Sequence, residues 1–136
     1  MTDSTLIHDL TDRREITDLV SRLGLWLDEG RFDEAPSILT DDVTVNTPGG
    51  QAEGIERVIA QARRNHQYDG LQHVISNVLI DLDADRATAR ANLVATFVGG
   101  ETLEQHGERY RFEAVRTPDG WRLSRVEVRP VWMRER

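Results

Sequence analysis

LQHVISNVLIDL, residues 71–82, is the stretch that decides the fold. Before it the apolar residues recur about every 3.6 positions, and from it onward they alternate with a period of about 2, as strands require. Both alternations within the stretch are apolar, with Ile75 on one side and Val74 and Val78 on the other. We therefore predict a strand that is covered on both faces.

Mostly helical segments precede this strand, and further strands follow it. Apolar residues at helical spacing predict an amphipathic helix over 13–26, and Asp12 with Glu15 resembles a capping pair at its start. Shorter helical segments are predicted at 31–39 and 54–66. The remaining predicted elements are strands at 43–45, 87–98, 108–116 and 121–132. Helices followed by an antiparallel meander indicate an α+β domain whose helices pack on one face of a curved sheet and enclose a cavity.

Composition narrows the class of protein. A chain of 136 residues with 38% hydrophobic content suffices for one ordinary core, so we expect a single domain over 1–136. The net charge of −7 argues against a nucleic-acid partner, because phosphate binding needs clustered basic residues. The absence of cysteine excludes disulfides, thiolate metal sites and a thiol nucleophile. The polar start of the chain resembles neither a signal peptide nor a membrane span, so we expect a soluble cytoplasmic protein without a membrane partner.

Two titratable residues stand in unusual places. His73 interrupts the apolar strand with an imidazole, which titrates near neutral pH and can remove a proton next to a carbonyl or a leaving group. The structural alternative is a core histidine that is satisfied by the backbone. Asp28 lies near the C-terminal end of the first helix, where its charge meets the negative pole of the helix dipole. It either has a compensating partner, lies in solvent or caps the next helix.

Three further residues are candidates for substrate binding. Tyr110 can donate a hydrogen bond to a substrate oxygen. Asn77 lies on the same alternation as His73 and can orient a polar group of a ligand. Trp26 can wall an apolar pocket. The alternatives are ordinary core roles: a tyrosine with its hydroxyl at the rim, a satisfied buried amide, and a tryptophan on a helix stripe.

No motif indicates a metal or a nucleotide. His66 and His106 lack a metal-ligand spacing and lie in polar surroundings, so we expect surface residues and no metal site. The Gly-Gly pairs at 49–50 and 99–100 lack the strand-loop-helix context and the lysine of a phosphate loop. We expect no cofactor.

Several motifs, in their order along the chain, resemble one family. They are Asp12-Arg13-Arg14-Glu15-Ile16, Leu27-Asp28-Glu29-Gly30-Arg31-Phe32-Asp33, Leu39-Thr40-Asp41-Asp42-Val43, Gln72-His73-Val74-Ile75-Ser76-Asn77 and Asp119-Gly120-Trp121-Arg122-Leu123. Over nearly its whole length the chain is similar to the SnoaL-like branch of the nuclear transport factor 2-like superfamily. The resemblance implies a cone-shaped α+β barrel, with N-terminal helices on a strongly curved, mixed and mostly antiparallel sheet that encloses a pocket.

The resemblance also implies a site. In dehydratase and dehydrochlorinase members, an Asp at the end of the first helix and a His on the strand after the third helix form a base dyad, and Asp28 and His73 match those positions. A carboxylate on one imidazole nitrogen fixes the tautomer and stabilises the imidazolium. The chain departs from the family at two places. Leu23 and Leu27 stand where members often carry a Tyr, and residues 96–98 offer no counterpart to the second His of the dehydratases.

The superfamily includes cyclases, isomerases, hydrolases, dehydratases, non-catalytic subunits and binding modules, so the fold leaves the activity open. We interpret the chain as a cofactor-independent lyase, isomerase or cyclase that uses His73 and Asp28 on a small hydrophobic, oxygenated molecule such as a polyketide or terpenoid intermediate. The alternatives are a non-catalytic small-molecule-binding or accessory domain of the same fold, and the small structural subunit of an oxygenase.

A second copy of the chain is the other predicted partner. The outer face of the sheet is too apolar for water over several strands, which predicts a homodimer through that face. The alternative is that terminal segments cover it. The residues assigned to this face are Val74, Val78, Ile80, Val94 and Thr96.

Overall fold

The computed structural model describes residues 2–136, which form two α-helices, one 3₁₀ helix and six strands. In chain order these elements are α1 Asp3–Glu29, a 3₁₀ helix Phe32–Ser37, β1 Leu39–Thr47, β2 Gly50–Glu53, α2 Ile55–Asn65, β3 Gly70–Asp83, β4 Arg86–Gly99, β5 Thr102–Thr117 and β6 Gly120–Glu135. Neither α1 nor α2 combines the length and the hydropathy that crossing a membrane requires.

The six strands form one mixed sheet in the order β2-β1-β6-β5-β4-β3. All neighbouring strands are antiparallel except β1 and β6, which run parallel. α1 packs against β3 and β6, and α2 packs against β1 and β2, so both helices lie on the same sheet. The predicted α+β class, with N-terminal helices on a mostly antiparallel sheet, is confirmed. The sheet is not closed, and β2 and β3 are its two edges.

The first helix begins well before the apolar pattern indicates. α1 starts at Asp3, with the side chain of Thr2 as its N-terminal cap. Buried side chains appear on α1 only from Ile16 onward, so the apolar period does not reveal its first turns. The prediction that Asp12 and Glu15 form a capping pair is therefore wrong, because both lie in the middle of the helix.

Other differences lie at the ends of the elements. The predicted helical segment 31–39 is a short 3₁₀ helix that contains Pro36, which cannot continue an α-helical ladder. The strand predicted at 43–45 is part of the longer β1, which forms a hairpin with β2. β2 was not predicted, because it has four residues and buries only Ala52. β5 begins at Thr102, so the polar segment before Glu108 belongs to the strand.

A β-bulge divides β3. The register between β3 and β4 shifts between Ser76 and Leu79, and Asn77 adopts a positive φ of 57°. Such an extra residue reverses the alternation of every side chain that follows it. Leu79, which a continuous alternation would place on the same face as His73, is consequently 65% exposed.

The bulge changes the position of three residues on which predictions depended. Val78 and Ile80 pack against the core, so their assignment to the outer face is wrong. Asn77 is exposed within the bulge, so the prediction that it shares a face with His73 is also wrong. A sequence pattern of period 2 cannot reveal this change, because the residues on both sides of the bulge are apolar.

A cluster of charged and aromatic side chains connects α1 to the β5–β6 hairpin. Arg116 donates two hydrogen bonds of 2.8 Å to the carboxylate of Asp12, and the indole N–H of Trp121 donates to the same carboxylate at 3.0 Å. The Arg116 guanidinium lies 4.7 Å from the centre of the Trp121 ring. Glu15 accepts a hydrogen bond of 2.8 Å from the backbone N–H of Trp121. Asp12 and Glu15 thus hold the hairpin against the helix.

Replacement of Asp12 by Asn tests this cluster. The hydrogen bonds from Arg116 hold the pKa of the Asp12 carboxyl below its ordinary value of 3.8. Its contribution to stability is therefore complete above about pH 4 and is lost as the pH falls through the lowered pKa. We expect D12N to reduce the free energy of unfolding at neutral pH by about 1–3 kcal/mol in urea denaturation, with a smaller difference from wild type in acid.

Asp18 provides the matched control on the same helix. It pairs with Arg14 across 3.7 Å at an exposed position. We expect D18N to change the free energy of unfolding by less than about 0.5 kcal/mol. Equal losses in D12N and D18N would contradict a specific role for the Asp12 cluster.

Candidate active site

The Asp28 carboxylate and the His73 ring form a hydrogen-bonded pair. His73 Nδ1 lies 2.6 Å from Asp28 Oδ1. Because an ionised carboxylate only accepts hydrogen bonds, the N–H at Nδ1 donates and the lone pair of the neutral ring lies at Nε2. The backbone N–H of His73 donates to both carboxylate oxygens, at 2.9 and 3.0 Å. The side chains of His73 and Asp28 are 11% and 15% exposed, so the pair is largely shielded from water.

The ends of two elements bring this pair together. Asp28 lies in the last turn of α1, which ends at Gly30 with a left-handed φ of 65°. A carboxylate there faces the negative pole of the helix dipole, which costs about 0.3–1 kcal/mol. The hydrogen bonds from His73 offset this cost. The carboxylate also serves as an acceptor for a backbone N–H of β3. β3 is an edge strand, so one row of its N–H groups has no neighbouring strand to bond to.

His73 lies in the wall of a cavity of about 350 Å³. Its apolar lining comes from both helices and from the inner face of the sheet. Among the described residues, no arginine lines the cavity, so its basic groups are two histidines. The polar and titratable side chains in the lining are Thr47, Gln61, Asn65, Tyr68, His73, Glu104, His106, Glu108 and Tyr110.

Of the three residues predicted to bind substrate, two line the cavity and one does not. Trp26 on α1 and Tyr110 on β5 line the cavity, and each is 2% exposed. Asn77 is absent from the lining, because the bulge turns it out to the surface. The alanines of β4 are buried in the core, and β4 contributes Leu93 and Phe97 to the lining.

Three titratable residues of β5 that line the cavity were not predicted. Glu104, His106 and Glu108 line it, whereas His106 was expected at the surface. His66, in contrast, is exposed, as predicted. The missed signal is the alternation along β5, which places 104, 106, 108, 110 and 112 on one face once the strand is known to begin at Thr102.

Strand register brings the two cavity histidines into one row. His73 on β3 pairs with Ala95 on β4, and Ala95 pairs with His106 on β5. Two strand spacings, roughly 10 Å, therefore separate the two histidines, with only a methyl group between them. The Phe97 ring contacts both, at centroid distances of 6.2 Å to His73 and 5.4 Å to His106. The two histidines therefore lie side by side on the inner face of the sheet, with the Phe97 ring near both.

Burial alters the acidity of two groups on β5. It raises the pKa of the Glu108 carboxyl above its ordinary value of 4.5, and the charges of His106 and His73 oppose this rise. Burial, assisted by the charges of Glu108 and Asp28, also raises the pKa of the Tyr110 phenol. Tyr110 therefore keeps its proton at neutral pH and can act as a hydrogen-bond donor.

One buried donor in the cavity wall has no protein acceptor. The indole Nε1 of Trp26 is shielded from solvent and makes no hydrogen bond to any described residue. Buried polar groups are normally paired, and an unpaired one costs about 1–3 kcal/mol. Trp26 packs edge-on against Phe32, with ring centroids 5.6 Å apart.

Within residues 2–136, no three His, Asp or Glu side chains converge as metal ligands.

Known proteins resemble this chain in sequence and fold. A family profile described as SnoaL-like domain matches residues 8–127. The crystal structure of the Kfla4162 protein from Kribbella flavida is 28% identical with a TM-score of 0.85, and the match covers 93% of this chain and 95% of that chain. An NTF2-like protein with a cystatin-like fold from Novosphingobium aromaticivorans is 27% identical with a TM-score of 0.83, over 92% and 85% of the two chains.

A third structure is an enzyme. Hexachlorocyclohexane dehydrochlorinase LinA-type3 from Novosphingobium barchaimii superposes with a TM-score of 0.86 over 96% of this chain and 93% of that chain. Its sequence identity of 20% supports a common fold and no more. The family profile spans most of the 136 residues, and the predicted resemblance is confirmed. The chain belongs to the SnoaL-like family and has the NTF2-like fold.

Proposed function

We propose that this protein is a cofactor-independent enzyme of the lyase type, in which His73 removes a proton from a small, hydrophobic, oxygenated substrate. The observation that carries this proposal is the 2.6 Å hydrogen bond from His73 Nδ1 to Asp28 beside an apolar cavity. A dehydrochlorinase shares the fold, and an elimination is the reaction that its name describes. Isomerisation and cyclisation begin with the same proton removal and are further outcomes of this site.

The two members of the pair have separate roles. Asp28 accepts from Nδ1 and so presents the lone pair of Nε2 for the substrate proton. When His73 takes the proton, the adjacent carboxylate stabilises the imidazolium that forms. Among the described residues, no protein group bonds to Nε2, so this nitrogen remains free for a substrate.

Two hydrogen-bond donors are suited to a substrate oxygen. Tyr110 lines the cavity, and its phenol stays protonated at neutral pH because burial raises its pKa. A hydrogen bond from Tyr110 to a carbonyl oxygen stabilises the negative charge that develops when the neighbouring C–H proton leaves. Trp26 supplies a second donor through its unpaired indole N–H.

The lining also favours one class of substrate. Apolar side chains form most of the wall, Glu104 repels anions, and no described arginine offers a counter-charge. The chain contains no lysine, so no lysine side chain can form a Schiff base with the substrate. These features favour a neutral molecule of the polyketide or terpenoid kind. The alternative is a binding domain that holds the same class of molecule without turnover.

Replacement of His73 by Gln tests the base. A suitable probe is 5-nitrobenzisoxazole, a neutral apolar molecule that a single proton abstraction converts into a coloured phenolate. We expect wild type to accelerate this reaction and H73Q to lower the rate by roughly 100-fold or more. D28N should lower it by roughly tenfold or more, because an amide at position 28 no longer selects one tautomer.

His8, an exposed residue of α1, provides the control. H8Q should keep the wild-type rate, and circular dichroism should show that all variants are folded. Full activity in H73Q would refute the proposed base. Absence of turnover in wild type, with unchanged probe binding in H73Q, would support the binding domain instead.

Replacement of Trp26 by Phe tests the unpaired donor. The variant keeps an aromatic ring in the wall but lacks the N–H that the protein leaves unpaired. We expect W26F to weaken binding of 1-tetralone, an apolar ketone, by about 3- to 10-fold and to leave binding of tetralin, its hydrocarbon counterpart, within about twofold. Calorimetric titration measures both affinities. Equal weakening for ketone and hydrocarbon would show that Trp26 contributes only shape.

A homodimer through the outer face of the sheet is a further proposal. Register places Val74, Val94, Gly107 and Trp132 in one row across four strands of that face. Val74 is 53% and Trp132 45% exposed, so the row is an apolar patch on the surface. We expect sedimentation velocity to show a dimer for wild type and a monomer for V74R. A monomeric wild type would exclude this interface.

A further inference from the structure

We propose that Glu108 is a general acid that faces the His73 base across the cavity and protonates the leaving oxygen of the substrate. This inference rests on the proposed lyase function and adds the second half of the reaction. Removal of a proton by His73 alone does not expel hydroxide, which is a poor leaving group. An elimination of water therefore needs a proton donor at the other end of the substrate.

Position on the sheet supports this role. Glu108 pairs with Leu93 on β4, and Leu93 pairs with Ile75 on β3. Glu108 thus lies one inner-face row away from His73, at roughly 10 Å across the strands and roughly 7 Å along them. Both side chains line the cavity. A small molecule between them presents one end to each group.

The surroundings of Glu108 favour its protonated form. Its neighbours in register are Leu93 and Pro130, and its carboxyl makes no hydrogen bond to any described residue. Burial raises the pKa of this carboxyl, which favours the protonated form. Glu104 differs, since it lies 3.2 Å from His106 Nε2 and is paired with that ring. Glu108 is therefore the cavity carboxyl that is free to donate.

Other titratable groups share the cavity with Glu108. The charges of His106 and His73 lower its pKa and so limit the rise that burial causes. α2 contributes amides to the lining, which do not titrate. The titratable groups near or in the lining are Asp28 on α1, Tyr68 before β3, His73 on β3, and Glu104, His106 and Tyr110 on β5.

The reaction balances with these two groups. His73 Nε2 takes the proton from the carbon next to the carbonyl, and the electrons of that C–H bond form the C=C bond. The C–O bond at the next carbon breaks, and its electrons go to the oxygen, which takes the Glu108 proton and leaves as water. The site ends with an imidazolium at His73 and a carboxylate at Glu108. Proton exchange with solvent restores both groups, and no oxidant or reductant is consumed.

Two probes with one carbon skeleton test the proposal. 4-Hydroxy-4-phenylbutan-2-one loses water and 4-acetoxy-4-phenylbutan-2-one loses acetate, and both give the same absorbing enone. Acetate leaves without a proton, whereas hydroxide does not. We expect E108Q to slow loss of water by about 100-fold or more and loss of acetate by less than about fivefold. H73Q should slow both, because both need the base.

The controls separate this inference from the proposed function. Glu113, on the opposite face of β5, is exposed, and E113Q should change neither rate. Equal slowing of both probes by E108Q, or of neither, would overturn the acid role and leave the His73 base intact. A wild type that accelerates neither reaction counts against the proposed function itself.

A carboxyl titration measures the pKa of Glu108 independently of turnover. Carbon-13 NMR of glutamate-labelled protein, with E108Q used to assign the signal, should give Glu108 a pKa above 4.5. A value at or below 4.5 would overturn the proposal, because burial would then not favour the protonated form of this carboxyl.

Discussion

The hydrogen bonds between Asp28 and His73 hold together both the fold and the candidate site. They attach the last turn of α1 to the edge strand β3, since the backbone N–H of His73 donates to both oxygens of the carboxylate. The same carboxylate accepts from the imidazole ring, so one side chain sets the packing of the helix and the tautomer of the histidine. The unfavourable position of Asp28 at the negative helix end is tolerated because the backbone N–H and the ring N–H of His73 both donate to its carboxylate.

The inner face of the sheet divides into an apolar and a polar part. Toward one end of β5, Tyr110 and Phe112 are buried and lie against each other with ring centroids 4.7 Å apart. Toward the other end, Glu104, His106 and Glu108 surround the cavity. Burial at the edge of the apolar core raises the pKa of the Glu108 carboxyl, because desolvation penalises its charged form. His73, the proposed base, lies beside the Asp28 carboxylate, and Glu108, the proposed acid, lies beside apolar groups. These surroundings follow from where each residue lies on one sheet.

The sequence pattern succeeded where one period continues along an element. The buried stripe of α1, the span of α2 and the hairpin of β3 with β4 all have the predicted character. It failed at the bulge near Asn77, because one inserted residue inverts the faces without changing the apolar composition of β3. It also failed for β5, whose first residues are polar because they border a cavity and not because they form a loop.

The sequence by itself determined the α+β class, the family and the identity of His73 and Asp28 as candidates, because periodicity and ordered motifs are local properties of the chain. Only the tertiary structure decided which residues share the cavity with them. His106 and Glu108 are more than thirty positions from His73, and strand register across β3, β4 and β5 brings them to the same face. Register depends on hydrogen bonds and bulges between strands, and neither is written in the spacing of residues along one strand.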